Sequence, residues 1–247
     1  NKLFLKFKMK NFFKKCIIKI LDLFGLKKKF LVYPIFKENI YSQDGEDGII
    51  EYILKKVPDL PRFVLDIGAN DGIYCSNSRL LISKYNFEGL LIEAYDAAFR
   101  SLAKLYENNP SILISNKAVG THDGKGLINW HGRFKDVEIN IYEINKLLTS
   151  FGIPREIGIL TIDIDGHDDD ILRKVDWKKF SPWFVISEID SSCSENLQNQ
   201  IDIMDKGCYY PSFHIGNVFY VRKDISGKFL FKNSKTILPF EKGLFWR

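Results

Sequence analysis

Residues 63–72 read Phe63-Val64-Leu65-Asp66-Ile67-Gly68-Ala69-Asn70-Asp71-Gly72. A short apolar run ending in turn residues predicts a strand buried on both faces. Gly68 and Gly72 then let the backbone turn tightly into a following helix. In open α/β sheets ligands bind beyond the carboxyl ends of the strands, where strand order reverses, so this segment is a natural ligand site. A dinucleotide-binding turn would read G-x-G-x-x-G. Here Asn70 stands at the second glycine and Asp71 follows it. A carboxylate there repels phosphate, which disfavours an NAD-dependent oxidoreductase and suits a cationic ligand.

Outward from this strand, short β-branched runs alternate with helical segments. Asp44 is expected to cap a helix over 45–56, with Ile49, Ile50, Ile53 and Leu54 on one face and Pro58 ending it. Further helices are expected over 76–84 (with Ser76 or Asn77 near its cap), 96–106, Ile141–Phe151, 168–174 and 194–206. Strands are expected over Gly89–Glu93, Ser111–Ile114, Ile157–Ile164 and Trp183–Ile189. Residues 121–137 read as a loop or hairpin insertion, and the tail at 208–221 and 228–231 as two closing strands with a turn at Gly216-Asn217. Alternation of this length predicts an α/β three-layer sandwich with a mainly parallel sheet.

The chain has 247 residues, 45% hydrophobic and 27% charged, which excludes collagen-like, low-complexity and wholly disordered classes. Its net charge of +5 is unevenly spread. Residues 1–29 hold ten Lys and one Asp, a net of +9, and the rest hold 26 basic and 30 acidic residues, a net of −4. Two regions are therefore expected, a basic amphipathic segment over 1–38 and the domain proper over 39–247. An acidic domain repels nucleic-acid backbones. The basic segment suits peripheral contact with an anionic membrane, or a helix packed on the domain or on a second subunit. No apolar run reaches the roughly 18 residues needed to span a bilayer. Cys16, Cys75, Cys193 and Cys208 show no zinc-ligand spacing, so a reduced, cytoplasmic setting is expected, with the inner face of the membrane as the alternative.

Several segments in order resemble the FkbM family of class I S-adenosylmethionine-dependent methyltransferases: YSQDGEDGIIEYI (41–53), FVLDIGANDGIYCSNSRLL (63–81), LLIEA (90–94), NKAVG (116–120) and LTIDIDGHDDDIL (160–172). The resemblance implies a Rossmann-like sandwich on a mainly parallel, seven-stranded sheet. It also implies S-adenosylmethionine as donor and O-methylation of sugars or related hydroxyl compounds. By that carry-over Asp66, Gly68 and Asn70 line the methionine part, Glu93 holds the ribose, and Asn116, Lys117 and Ala118 flank the adenine. Ser42 and Gln43 are expected to close over the cofactor. The acceptor expected is a sugar or nucleotide-linked sugar in surface-polysaccharide synthesis. A catalytically inactive membrane-associated protein of the same fold is the alternative from another class.

A sugar hydroxyl is a poor nucleophile at neutral pH and needs a base, a metal, or both. Asp163 and Asp165 are expected to alternate on the fourth strand, with His167 just past Gly166, and Glu188 and Asp190 to alternate on the fifth. Asp163 and Glu188 are the expected ligands of Mg²⁺ or Mn²⁺, with Asp165 or His167 removing the hydroxyl proton. Many FkbM members carry Glu where this chain has Asp165. His122, Trp130, His131 and His214 are secondary candidates for the acceptor pocket or its rim.

Overall fold

Phe63–Ile67 forms β1, with the bounds its sequence predicts. A computed structural model of the chain describes residues 38–128, 137–189 and 194–226. After α1 (Glu46–Lys56) and β1 come α2 (Arg79–Tyr85), β2 (Glu88–Ile92), α3 (Asp96–Tyr106) and β3 (Ile112–Ser115). Then follow β4 (Ala118–Gly120), β5 (Gly124–Ile128), β6 (Val137–Glu143), α4 (Ile144–Ser150), β7 (Glu156–Ile162) and α5 (Asp168–Lys174). β8 (Ser181–Ser187), α6 (Ser194–Lys206), β9 (Tyr209–His214) and β10 (Val218–Arg222) complete the described elements.

The main sheet has seven strands in the order β3-β2-β1-β7-β8-β10-β9. β1 pairs in parallel with both β2 and β7, so the order reverses beside it. β10 runs antiparallel to β8 and β9. Because strand side chains alternate between faces, β1 feeds two cores. Val64 packs with Leu91, Ile159, Phe184 and α1–α3. Leu65 and Ile67 pack with Ile92, Ile162, Val185 and α4–α6. This is the three-layer arrangement expected.

Some local expectations are overturned. Asp44 does not cap α1, whose N-cap is Gly45 at φ 109 with no side-chain cap bond. α2 begins three residues later than predicted, although Ser76 Oγ does accept the Arg79 N–H at 3.1 Å. Residues 121–137 are not merely a loop, since β5 and β6 join β4 in a second sheet ordered β4-β6-β5. Ile141 belongs to β6, pairing with Ala118, and α4 starts only at Ile144, where the Glu143 carboxylate caps it by accepting the Lys146 N–H at 2.8 Å. Asp163, Asp165 and Glu188 lie just past their strands rather than on them. Asp190, Trp130, His131 and the 1–29 segment lie outside the described residues, as does 228–231.

Candidate active site

The carboxyl ends of the parallel strands are joined by main-chain bonds that place each acidic side chain. Gly68 and Ala69 N–H both donate to the Ile92 carbonyl, at 2.9 and 3.0 Å. Asp163 N–H donates to Ile67 O at 3.0 Å, and Glu188 N–H to Ile162 O at 3.2 Å. Gly68 has φ +89, and a Cβ there would stand 1.8 Å from the Asp163 carbonyl oxygen. Only glycine lets the turn after β1 close on the end of β7.

Over these ends lies a cavity of about 670 Å³, within the range usual for small-molecule sites. Asp66, Gly68, Asn70, Glu93, Lys117 and Gln43 line it, as do Asp163, Asp165, His167 and Glu188. Ser42, Asn116 and Ala118 do not. Ser42 is buried, exchanging bonds with Asp47: its main-chain N–H donates to Oδ2 at 2.9 Å and its hydroxyl at 3.0 Å. Asp47 Oδ2 also accepts the Ile40 and Tyr41 N–H groups, both at 2.7 Å, and so holds the strap that delivers Gln43. Asn116 acts from behind, its amide donating to Glu93 O at 3.0 Å and Ala94 O at 3.2 Å. Ala118 opens β4 in the second sheet. His122 and His214 do not line the cavity; His214 is the last residue of β9.

The loop before α2 supplies further lining residues, Tyr74, Cys75, Ser76 and Asn77, the last two of which the helix expected over 76–84 concealed. The run Ile73–Ser78, which carries no helical apolar period, is the signal that could have marked them as loop. Leu127 and Val119 of the second sheet add apolar side chains to the lining.

The cavity floor is acidic and desolvated. Burial pushes the Asp66 carboxyl up to about 7, with Glu93 adding to the rise and a 2.5 Å bond from Ser78 Oγ opposing it. Burial also raises Glu93, against the main-chain N–H groups its carboxylate accepts. Asp163 is raised to about 8 by burial and then by Glu188 and Asp168. Asp168 is raised to about 7 by burial and Glu188. One oxygen each from Asp163, Asp165 and Glu188 fall within 4.8 Å of one another. Asp165 thus stands with the two expected ligands rather than apart from them. The His167 side chain is 77% exposed at the rim, its Nδ1 3.8 Å from Asp170 Oδ2.

The family described as Methyltransferase FkbM domain matches residues 66–207. No curated protein matches the chain. Among solved structures, an FkbM methyltransferase from Methylobacillus flagellatus is similar over 64% of this chain and 42% of its own, at 16% identity and TM-score 0.45. Monomeric WbdD is similar over 72% of this chain and 40% of its own, at 15% identity and TM-score 0.43. Aeropyrum pernix fibrillarin in complex with S-adenosyl-L-methionine is similar over 70% and 74%, at 11% identity and TM-score 0.44. The chain thus spans less than half the length of the first two.

Proposed function

The chain belongs to the FkbM methyltransferase family, and on that premise we propose that it is an S-adenosylmethionine-dependent O-methyltransferase. Its acceptor in this reading is a hydroxyl of a sugar or nucleotide-linked sugar, used in building a surface polysaccharide. One observation carries the donor assignment: Asp66 and Glu93, both buried, face the same cavity beside the turn Gly68–Asn70. Two desolvated carboxylates there oppose a pyrophosphate and favour the ammonium and sulfonium of S-adenosylmethionine. Glu93 keeps acceptor capacity on each oxygen for the ribose hydroxyls.

In the reaction the acceptor oxygen attacks the methyl carbon, the carbon–sulfur bond breaks, and the hydroxyl proton leaves. The products are a methyl ether and S-adenosylhomocysteine. Much of the rate comes from holding oxygen, carbon and sulfur in line. Asp163, Asp165 and Glu188 suit Mg²⁺ or Mn²⁺, because their oxygens converge and their mutual repulsion favours a cation. Such an ion, when bound, lowers the pKa of a hydroxyl. With Asp165 in that cluster, the His167 imidazole on the rim is the residue assigned to receive the proton. Tyr74, 71% exposed at the cavity, offers a ring face of the kind on which sugars stack.

Among the described residues no helix is long and apolar enough to cross a membrane. The proposed enzyme works in the cytoplasm, with residues 1–29 touching the inner face of the membrane. Its test is a mass assay of the full chain with S-adenosylmethionine and a panel of nucleotide-linked sugars. One sugar should gain a single methyl group while S-adenosylhomocysteine accumulates. Methylation confined to a non-carbohydrate acceptor would overturn the substrate assignment.

A further inference from the structure

Gln200 lies on α6, behind the cavity rather than in its lining, and is 1% exposed. Its side chain is bonded at both polar atoms. The Tyr220 hydroxyl of β10 donates to Oε1 at 2.8 Å. Nε2 donates to the Glu188 carbonyl at 2.9 Å and to Asp169 Oδ1 at 3.0 Å, with Ser187 Oγ further off at 3.4 Å. An amide nitrogen has two protons, and the two shorter bonds use both. One buried side chain thus ties the end of β8 to the first turn of α5 and to β10.

Those segments frame the acidic cluster. The Glu188 main chain is held from two sides: its N–H donates to Ile162 O at 3.2 Å, and its carbonyl accepts from Gln200 and, at 3.3 Å, from Ser187 Oγ. Asp169 is gripped at both oxygens by α6, since Asn199 Nδ2 donates to its Oδ2 at 2.8 Å. Carboxylates whose oxygens converge within 4.8 Å repel one another, so the chain that carries them must be restrained for the cluster to stay together. We infer that Gln200 is a positioning residue for the cation site, whose amide fixes the main chain from which the Glu188 carboxylate reaches Asp163 and Asp165. This rests on the reading of that cluster as a Mg²⁺ or Mn²⁺ site.

The test is a Mn²⁺ titration of the full chain and its variants, read by the electron paramagnetic resonance of the free ion, with urea unfolding and S-adenosylhomocysteine calorimetry beside it. Gln200→Ala should weaken Mn²⁺ by about tenfold or more while leaving S-adenosylhomocysteine within about twofold. Tyr209→Phe is the structural control. Tyr209 is 1% exposed and donates its hydroxyl to Pro182 O at 2.7 Å, at the opposite end of β8. Its loss should lower stability yet leave Mn²⁺ affinity within about twofold of wild type. If Q200A and Y209F weaken Mn²⁺ alike, or Q200A leaves it unchanged, Gln200 serves packing alone and the inference fails. Equal weakening of Mn²⁺ and S-adenosylhomocysteine by Q200A marks a general loosening and overturns it too. Should Q200A not fold, Gln200→Met, which fills a similar space without a donor, carries the same comparison. A wild-type chain that takes up no Mn²⁺ would instead overturn the metal reading itself, and this inference with it.

Discussion

Glu93 Oε2 accepts the main-chain N–H of Asn70 at 2.7 Å, joining the end of β2 to the turn after β1. Asn70 sits there in the left-handed region, at φ 50. Oε1 accepts the Tyr95 N–H at 2.6 Å, and the Glu93 carbonyl accepts from Asn116. The carboxylate assigned to the ribose is thus oriented by two main-chain N–H groups before any ligand arrives. Glu93→Ala should leave two amides without partners, costing about 1–3 kcal/mol for each that stays buried. Affinity for S-adenosylhomocysteine should fall by about 10–100-fold. Calorimetry and urea unfolding measure the two effects, and a folded variant with undiminished affinity would remove Glu93 from the site.

Gly68→Ala and Gly166→Ala separate crowding from backbone strain. Both glycines have positive φ, +89 and +96, but a Cβ at 68 meets the Asp163 carbonyl at 1.8 Å while nothing lies within 4 Å at 166. Strain alone costs about 1–2 kcal/mol. Gly166→Ala should lose about that much, and Gly68→Ala should lose clearly more or fail to accumulate. Equal melting temperatures for the two would contradict the close packing of the β1 turn on β7.

Asp66 should make stability fall as pH rises. Its carboxyl is raised from 3.8 to about 7 in the folded protein by burial. Between those values the folded state holds a proton that the unfolded state has lost, so stability decreases at up to about 1.4 kcal/mol per pH unit. Asp163 and Asp168 are also raised and act in the same direction. Asp66→Asn removes the Asp66 share alone. Urea unfolding at intervals from pH 4.5 to 8 should therefore show a shallower decline in that variant, and parallel curves would refute a shifted Asp66.

Much of the central sheet was legible because its strands are buried on both faces. β1 was read with its true bounds, and α3, α5 and α6 likewise. The insertion was not, because β5 reads GKGLI, where two glycines and a lysine leave too little alternation to mark a strand. The helix predicted over Ile141–Phe151 began too early, since Ile141 and Tyr142 are claimed by pairing with β4, a long-range contact that local periodicity does not encode. Acidic strand-end residues were recognisable because charge is costly at the edge of an apolar run. Ser42 and Asn116 misled because their polar groups serve Asp47 and the Glu93 carbonyl, partners that only the fold brings near. Asn77 went unseen as a lining residue because a helix cap explained it equally well.

The acidic cluster makes its own prediction about metal. Removing Mg²⁺ and Mn²⁺ with EDTA should abolish methyl transfer, and adding either back should restore it. Without any acceptor present, Mn²⁺ should raise the melting temperature of the wild type, because it relieves repulsion among Asp163, Asp165 and Glu188. Asp163→Asn should lose that rise. Full activity in chelator would sink the metal assignment while leaving the cofactor site untouched.

The paired carboxylates Asp66 and Glu93 oppose one ligand class while admitting another. Titrating the full chain with S-adenosylhomocysteine and separately with NAD tests that choice directly. S-adenosylhomocysteine should bind saturably at one site per chain, and NAD should give no heat. Saturable binding of NAD, or a flat titration with S-adenosylhomocysteine, would contradict the donor assignment.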